Sequence, residues 1–434
     1  MIINITVSIL VWTIAAICFV RVLSLGGCRL PNNSLTKWLL VNEREYPSTR
    51  ITFKEYTIVA VEALLMRIIV LIAAAFALRL FMDDTVSLTW SGYLNEWQKW
   101  DAVHYLRIAE GGYSGYLENG EPILLVFFPL YSILVKGLEI VTHNYQISAM
   151  LVSVICYVAG CCYFYGFVSL DYGKEIGRRA VYYISIFPFS FYFGSMMTES
   201  LFFLTVSACF YYIRLHRWPM VALTGIMAGL SRMQGILLIA PAAVEWIEYY
   251  KPFHFLRERQ WRGLWNLVWT KAAWILCIGI SPVIYLGCNY LVTGNPFQFL
   301  IYQKEIWFHG PEYFGKAIVS IYQYLISKNH VGMTMASIWI PEFSVFLLAL
   351  ILLAYGVRRH SNKYVVFLLL YTVMNYSLSF IISGARYMAV AIPMFLFLAE
   401  LTQRHKWLDK WITIISLLFL GIYLTGYLFA KQIM

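Results

Sequence analysis

Long apolar runs separated by short polar loops set the pattern of the chain. A membrane-spanning helix needs about 20 mostly apolar residues, and runs of that kind recur from residue 2 onwards. Residues 2–25 form the first candidate span and 57–81 the second; later ones include 148–170, 181–197 and 272–291. This pattern predicts an all-α polytopic membrane protein with about 12 transmembrane helices. The N-terminal run lacks a basic leader and a clear small-residue cleavage site, so it is expected to stay in place as the first helix.

One stretch breaks the pattern. Residues 97–131, WQKWDAVHYLRIAEGGYSGYLENGEPILLVFFPLY, are the most polar long segment between two apolar runs. Val103, Leu106 and Ile108 or Ala109 recur at helical spacing after Asp101, with His104 and Arg107 on another side. The Gly111–Gly112 pair is a helix stop. The spacing predicts an amphipathic helix lying flat on the membrane, with Trp97, Trp100, Tyr105 and Tyr113 as interfacial anchors.

Charge in the loops orients the chain. Arg29, Lys37, Arg44, Arg50 and Lys54 lie between the first two spans, and basic residues near span ends mark the cytoplasmic side. The segment after the second span carries Asp83, Asp84, Glu96, Asp101, Glu110, Glu118 and Glu121, which agrees with the outside. Residues 123–141 are apolar but contain Phe127-Phe128-Pro129 and Lys136. If they spanned, every later basic loop would change side. They are therefore expected to lie as a non-spanning or interfacial segment, which leaves both termini outside. Residues 1–56 read as an additional N-terminal helix and basic loop, and 57–434 as the core, with outer loops at 82–147 and 292–340.

Composition agrees. The 434 residues are 60% hydrophobic and 13% charged, against about 25% charged in soluble domains. The net charge of +10 falls largely in short loops, so it is a topology signal and not a nucleic-acid surface. The eight cysteines show no CxxC pair and no metal spacing, and are expected as small buried hydrophobes.

Four ionisable residues are expected outside at helix ends: Asp101, Glu199, Arg232 and Arg386. Charges within apolar helices are costly and tend to mark function. Asp101 serves equally as a helix N-cap, worth about 1 kcal/mol, and Glu199 as a helix-start carboxylate favoured by the macrodipole. An arginine at a helix end can simply snorkel to the interface. Two arginines on the face away from the basic loops point instead to a phosphate, which guanidinium binds bidentately. His309 and His330 have no partner at ligand spacing. No GxSxG, HExxH, Walker or GxGxxG motif is present, so nucleotide chemistry has no visible home.

At these residues the chain resembles the GPI mannosyltransferase II (PIG-V-type) family and its bacterial relatives. The motif residues are Trp100-Asp101-Ala102, His104-Tyr105-Leu106, Ile108-Ala109, Gly112-Tyr113 and Phe127-Phe128-Pro129-Leu130-Tyr131. FPFSFYFGSMMTESLFF, AGLSRMQGILL and ARYMAVAIPMFLFLA resemble three further family segments, in order, so the likeness runs from Trp97 to Ala399. Lys99 stands where Arg is common, Met197-Thr198 where Tyr-Ser is usual, and Ser132 where the family has a second Pro.

The resemblance implies a GT-C-like membrane fold with interfacial helices in the first large outer loop. It also implies transfer of a sugar, mannose by family expectation, from a polyprenyl-phosphate donor to a hydroxyl acceptor such as a glycolipid, on the extracytoplasmic face. Asp101 would be the general base. Trp100, His104, Glu199, Arg232, Gln234, Arg386 and Tyr387 would bind substrate. No cofactor is firmly implied; Asp101 and Glu199 could hold a divalent metal ion or none. The expected setting is a bacterial plasma membrane, with the ER membrane as the alternative. The competing class is a transporter or flippase of a lipid-linked glycan.

Overall fold

The computed structural model describes residues 2–31, 50–82, 89–308, 310–327, 332, 334–379, 381–431 and 433. Lys37, Arg44, Asp83, Asp84, His309 and His330 lie outside them. In chain order the helices begin with α1 (Ile2–Leu25), α2 (Phe53–Phe81), α3 (Trp90–Glu96), α4 (Asp101–Gly111) and α5 (Pro129–Thr142). Next come α6 (Tyr145–Tyr172), α7 (Lys174–Ile186), α8 (Glu199–Arg214), α9 (Trp218–Ser231), α10 (Ile239–Tyr250) and α11 (Pro252–Arg257). The chain continues with α12 (Trp261–Thr293), α13 (Gln298–Glu305), α14 (Phe314–Ile326) and α15 (Met335–Gly356). It closes with α16 (Asn362–Asn375), α17 (Gly384–Tyr387), α18 (Ile392–Arg404) and α19 (Lys406–Leu428). Among the described residues no strand forms.

Among the described residues, six helices (α1, α2, α6, α12, α15 and α19) are long and apolar enough to cross a membrane. A seventh is reached only if residues 384–404, bent by 74°, count as one span. The expected figure of about 12 is not recovered. The run 181–197 shows why. Helix α7 ends at Ile186 because Pro188 disfavours helical backbone at the residue before it, and Ser190–Gly194 then form a 3-10 turn. Between residues 199 and 250 the apolar runs become α8, α9 and α10, of 16, 14 and 12 residues, short of the roughly 20 that a span requires. Much of their apolar surface is buried against protein: Leu201, Phe202, Phe203, Val206, Phe210 and Val221 are all at most 1% exposed.

Residues 123–141 fold as expected, without a continuous span. Ile123–Val126 make a 3-10 turn and Pro129 opens the 14-residue α5, a position where its missing N–H costs nothing. The amphipathic helix after Asp101 is α4, and it stops at Gly112 with φ +69°. Its fit into the molecule differs from expectation. Trp97 and Tyr105 are buried in protein, so these two are packing residues and not surface anchors, whereas Trp100 and Tyr113 are half-buried.

Hydrogen bonds tie the 97–142 region together. The Tyr113 hydroxyl donates to the Phe127 carbonyl at 2.6 Å, and Ser132 donates to the Tyr105 carbonyl at 2.8 Å. Tyr131 donates to the Ala149 carbonyl at 2.9 Å and so joins α5 to α6. The two expected outer loops also meet: the Tyr302 hydroxyl donates to Glu121 Oε2 at 2.6 Å. The N-terminal helix α1 packs against α14 and α16, with the Tyr313 hydroxyl 2.7 Å from Ser8 Oγ.

Candidate active site

The four singled-out charges arrive on four separate elements. Asp101 is the first residue of α4, and Glu199 is the first residue of α8. Arg232 links the end of α9 to a 3-10 turn, Met233–Leu238. That turn folds back so closely that a Cβ on Gly235 would lie 2.3 Å from backbone atoms of α9, which leaves room for glycine alone. Arg386 sits on the short helix α17.

All four converge. Arg386 Nε donates to Glu199 Oε1 at 2.6 Å, and Arg386 Nη1 donates to Asp101 Oδ2 at 2.9 Å. Arg232 Nη1 donates to the same Glu199 oxygen at 3.1 Å. The result is a chain of alternating charge, Asp101–Arg386–Glu199–Arg232. Glu199, Arg386 and Arg232 are 0%, 3% and 8% exposed. Two guanidinium groups and two carboxylates balance, which is the condition under which charges tolerate burial. Asp101 differs: about a third of its side chain is exposed. It is the accessible acid, and Glu199 is the buried one that holds both arginines.

Neither plain alternative for the acids accounts for this. The N-cap of α4 is Trp100, which makes no side-chain cap bond and has φ +53°, a backbone region that residues other than glycine seldom enter. The Asp101 carboxylate turns to Arg386 instead. Glu199 does lie in the first turn of α8, where the macrodipole favours it, but its Oε1 is committed to the arginines.

Aromatic rings floor the arginines. Arg232 lies over the Tyr387 ring at 4.4 Å from the centroid, and Arg386 lies over Tyr192 at 4.5 Å. Tyr387 thus lies against both arginines. Tyr192 was not anticipated, and neither was Met197, whose sulfur accepts from Arg386 Nη2 at 3.0 Å.

The other expected residues lie around this centre. Gln234 Nε2 donates to Asn375 Oδ1 at 3.1 Å, which ties the Arg232 turn to α16. His104 is not in the ion chain. It stands about one turn along α4 from Asp101, with its ring 4.9 Å from Phe127 and 6.4 Å from Trp307. Burial holds its imidazole below the usual histidine value, against the opposing pull of Asp101, so the ring is neutral at pH 7. His104 Nδ1 and Trp100 Nε1 are buried without a hydrogen-bond partner.

Asp101 and Glu199 do not suit a shared divalent ion, because the Arg386 guanidinium stands between them and bonds to both. Among the described residues no three His, Cys, Asp or Glu side chains gather where they could hold a metal. A separate apolar groove of about 300 Å³ runs between α7, α15, α18 and α19, lined by Phe187, Phe189, Pro341, Phe395, Phe419 and Tyr423 among others. It holds none of the four charges.

No family model matches the chain, and no curated protein matches it. Among solved structures it is similar to the Archaeoglobus fulgidus oligosaccharyltransferase tethered with an acceptor peptide containing the NVT sequon. There the identity is 11%, the TM-score 0.42, and the match covers 84% of this chain and 55% of that one. It is also similar to the archaeal oligosaccharyltransferase AglB from Archaeoglobus fulgidus in complex with an inhibitory peptide and a dolichol-phosphate. That match has 14% identity and a TM-score of 0.40, and it covers 83% and 55% of the two chains. The chain spans about half the length of these solved chains.

Proposed function

We propose that the protein is a membrane glycosyltransferase of GT-C type, related to the PIG-V-type mannosyltransferases. It would move a sugar, mannose by its motif resemblance, from a polyprenyl monophosphate to a hydroxyl acceptor at the extracytoplasmic face. The observation that carries this reading is the convergence of Asp101, Glu199, Arg232 and Arg386, residues up to 285 positions apart, in one nearly buried cluster whose only substantially exposed carboxylate is Asp101.

In the reaction Asp101 takes the proton of the acceptor hydroxyl as the oxygen attacks the anomeric carbon, a role worth about 10²–10⁴-fold. The new bond forms from the acceptor oxygen to that carbon. The bond from the carbon to the phosphate oxygen breaks, its electron pair leaves with the phosphate, and configuration inverts. A second carboxylic acid is unnecessary, because the leaving group departs as an anion and needs positive charge, not a proton. Arg386 and Arg232 supply that charge from fixed positions. Glu199 holds both guanidinium groups by one oxygen, so the arginines are preorganised before the donor arrives.

The test is incubation of the purified protein, in detergent or vesicles, with a radiolabelled polyprenyl-phosphate mannose and extracted membrane lipids. New labelled product supports the proposal. Label that crosses the vesicle membrane without a new product would mean transport instead.

A further inference from the structure

Arg386 reaches two carboxylates and a sulfur at once, so the backbone that carries it has to be fixed. Helix α17 has only four residues, too few to hold itself. At its far end the Tyr371 hydroxyl donates to the Tyr387 carbonyl at 3.0 Å. At its near end stands Glu342, in the first turn of the helical part of α15 and fully buried. Glu342 Oε2 accepts the Ala385 backbone N–H at 3.0 Å. The same oxygen lies so close to Gly384 that a Cβ there would come within 2.5 Å of it. Glu342 is itself held, since the Tyr376 hydroxyl donates to its backbone carbonyl at 3.1 Å.

No cation pairs with this carboxylate among the described contacts. Its carboxyl is held by the Ala385 amide, one residue before Arg386, with the Gly384 amide and the Tyr376 hydroxyl also interacting with it, and among the described residues Oε1 is buried without a hydrogen-bond partner. An unpaired buried carboxyl is a costly group to keep, and sealing a short turn by itself does not require one. We infer that Glu342 is a positioning residue. Through the Ala385 amide it sets the α17 backbone at the angle from which the Arg386 guanidinium meets Glu199 and Asp101, and Gly384 is required so that the carboxyl can come that close.

The inference rests on the proposed role of Arg386, and the experiment separates the two. Hydrogen exchange is measured by mass spectrometry on the full-length protein in detergent for wild type, Glu342→Ala and Glu342→Gln. The amide oxygen of Gln can still accept the Ala385 N–H. Glu342→Ala is expected to speed exchange at 384–387 by about fivefold to tenfold, the loss of one hydrogen bond, with distant helices unchanged. Glu342→Gln should restore most of the protection. Sugar transfer measured in parallel should fall in Glu342→Ala, mainly in kcat, and recover in Glu342→Gln.

Faster exchange at 384–387 with no transfer by wild type would leave the positioning role standing and sink the proposed reaction. Unchanged exchange at 384–387, or loss of protection spread evenly over the molecule, would overturn the inference. So would a Gln variant no better protected than the Ala variant.

Discussion

The Asp101 carboxylate and the Arg386 guanidinium, 285 positions apart in the chain, meet at 2.9 Å. Arg386 is almost wholly buried, whereas Asp101 is open over about a third of its side chain. The pair therefore has a buried side and an accessible side. Under the proposed reaction, a donor phosphate approaching from the accessible side would meet an arginine already aimed, next to the acid proposed to receive the proton.

Arg386 should not tolerate lysine. Its Nε and Nη2 both lie against Glu199 Oε1, Nη1 donates to Asp101, and Nη2 also meets the Met197 sulfur. A single ammonium cannot reproduce that fork. Arg386→Lys is expected to lower kcat and kcat/KM together by about 10²–10³-fold, as for loss of a preorganised donor to the developing charge. Arg232→Lys should cost less, because Arg232 makes one ion pair at 3.1 Å and a ring contact. Steady-state kinetics with the two variants side by side provides the check.

Glu199 is the structural keystone of the cluster. Glu199→Gln removes the charge shared by both arginines and leaves two buried cations facing one partly exposed acid. Breaking a buried ion pair typically costs about 3–5 kcal/mol. A clear drop in thermal unfolding temperature is expected along with loss of transfer, whereas Asp101→Asn should unfold close to wild type. Differential scanning fluorimetry of the two variants would separate the roles.

How much of this was legible in the sequence depends on whether the governing physics is local. Helix α4 and its stop at Gly112 follow from spacing and backbone freedom. Loop charge led to the expectation that 123–141 does not span, but not to its break into a turn and a short helix. The span count was not legible, because hydropathy reports that Phe202 or Phe210 avoids water but not whether it meets lipid or another helix. Trp97 and Tyr105 misled for the same reason. The four charges were singled out in the sequence as ionisable residues expected outside at helix ends. Their pairing was not, since partners 33, 187 and 285 residues apart leave no periodic trace. Glu342 gave no sign at all: its partner is a backbone amide.

His104 gives a pH dependence of definite sign. Burial depresses its folded-state pKa, so the unfolded chain binds the extra proton first. Above the ordinary histidine value of about 6.5 both states are neutral and stability is unaffected. As pH falls below it, the unfolded state gains protons that the folded state does not, and stability declines. His104→Gln should flatten that decline between about pH 6.5 and 5, read from thermal unfolding across a buffer series.

A second ion cluster, away from the site, should matter for stability alone. Lys363 is buried and pairs with Asp171 at 3.2 Å and Glu245 at 3.0 Å, and so joins α6, α10 and α16. Lys363→Met leaves Asp171 with Arg214 and Glu245 with His216, so it should lower stability by less than the roughly 3–5 kcal/mol of a buried pair broken outright. Transfer per folded molecule should stay near wild type, measured at a temperature where the variant remains folded.

The most direct measurement is sugar transfer by Asp101→Asn, with wild type alongside, from a radiolabelled polyprenyl-phosphate mannose to extracted lipids. Asn keeps the size of the side chain and an acceptor oxygen for Arg386 but cannot take a proton at neutral pH. The account predicts a folded, membrane-inserted protein whose transfer rate drops by about 10²–10⁴-fold. Transfer at the wild-type rate by Asp101→Asn would contradict it.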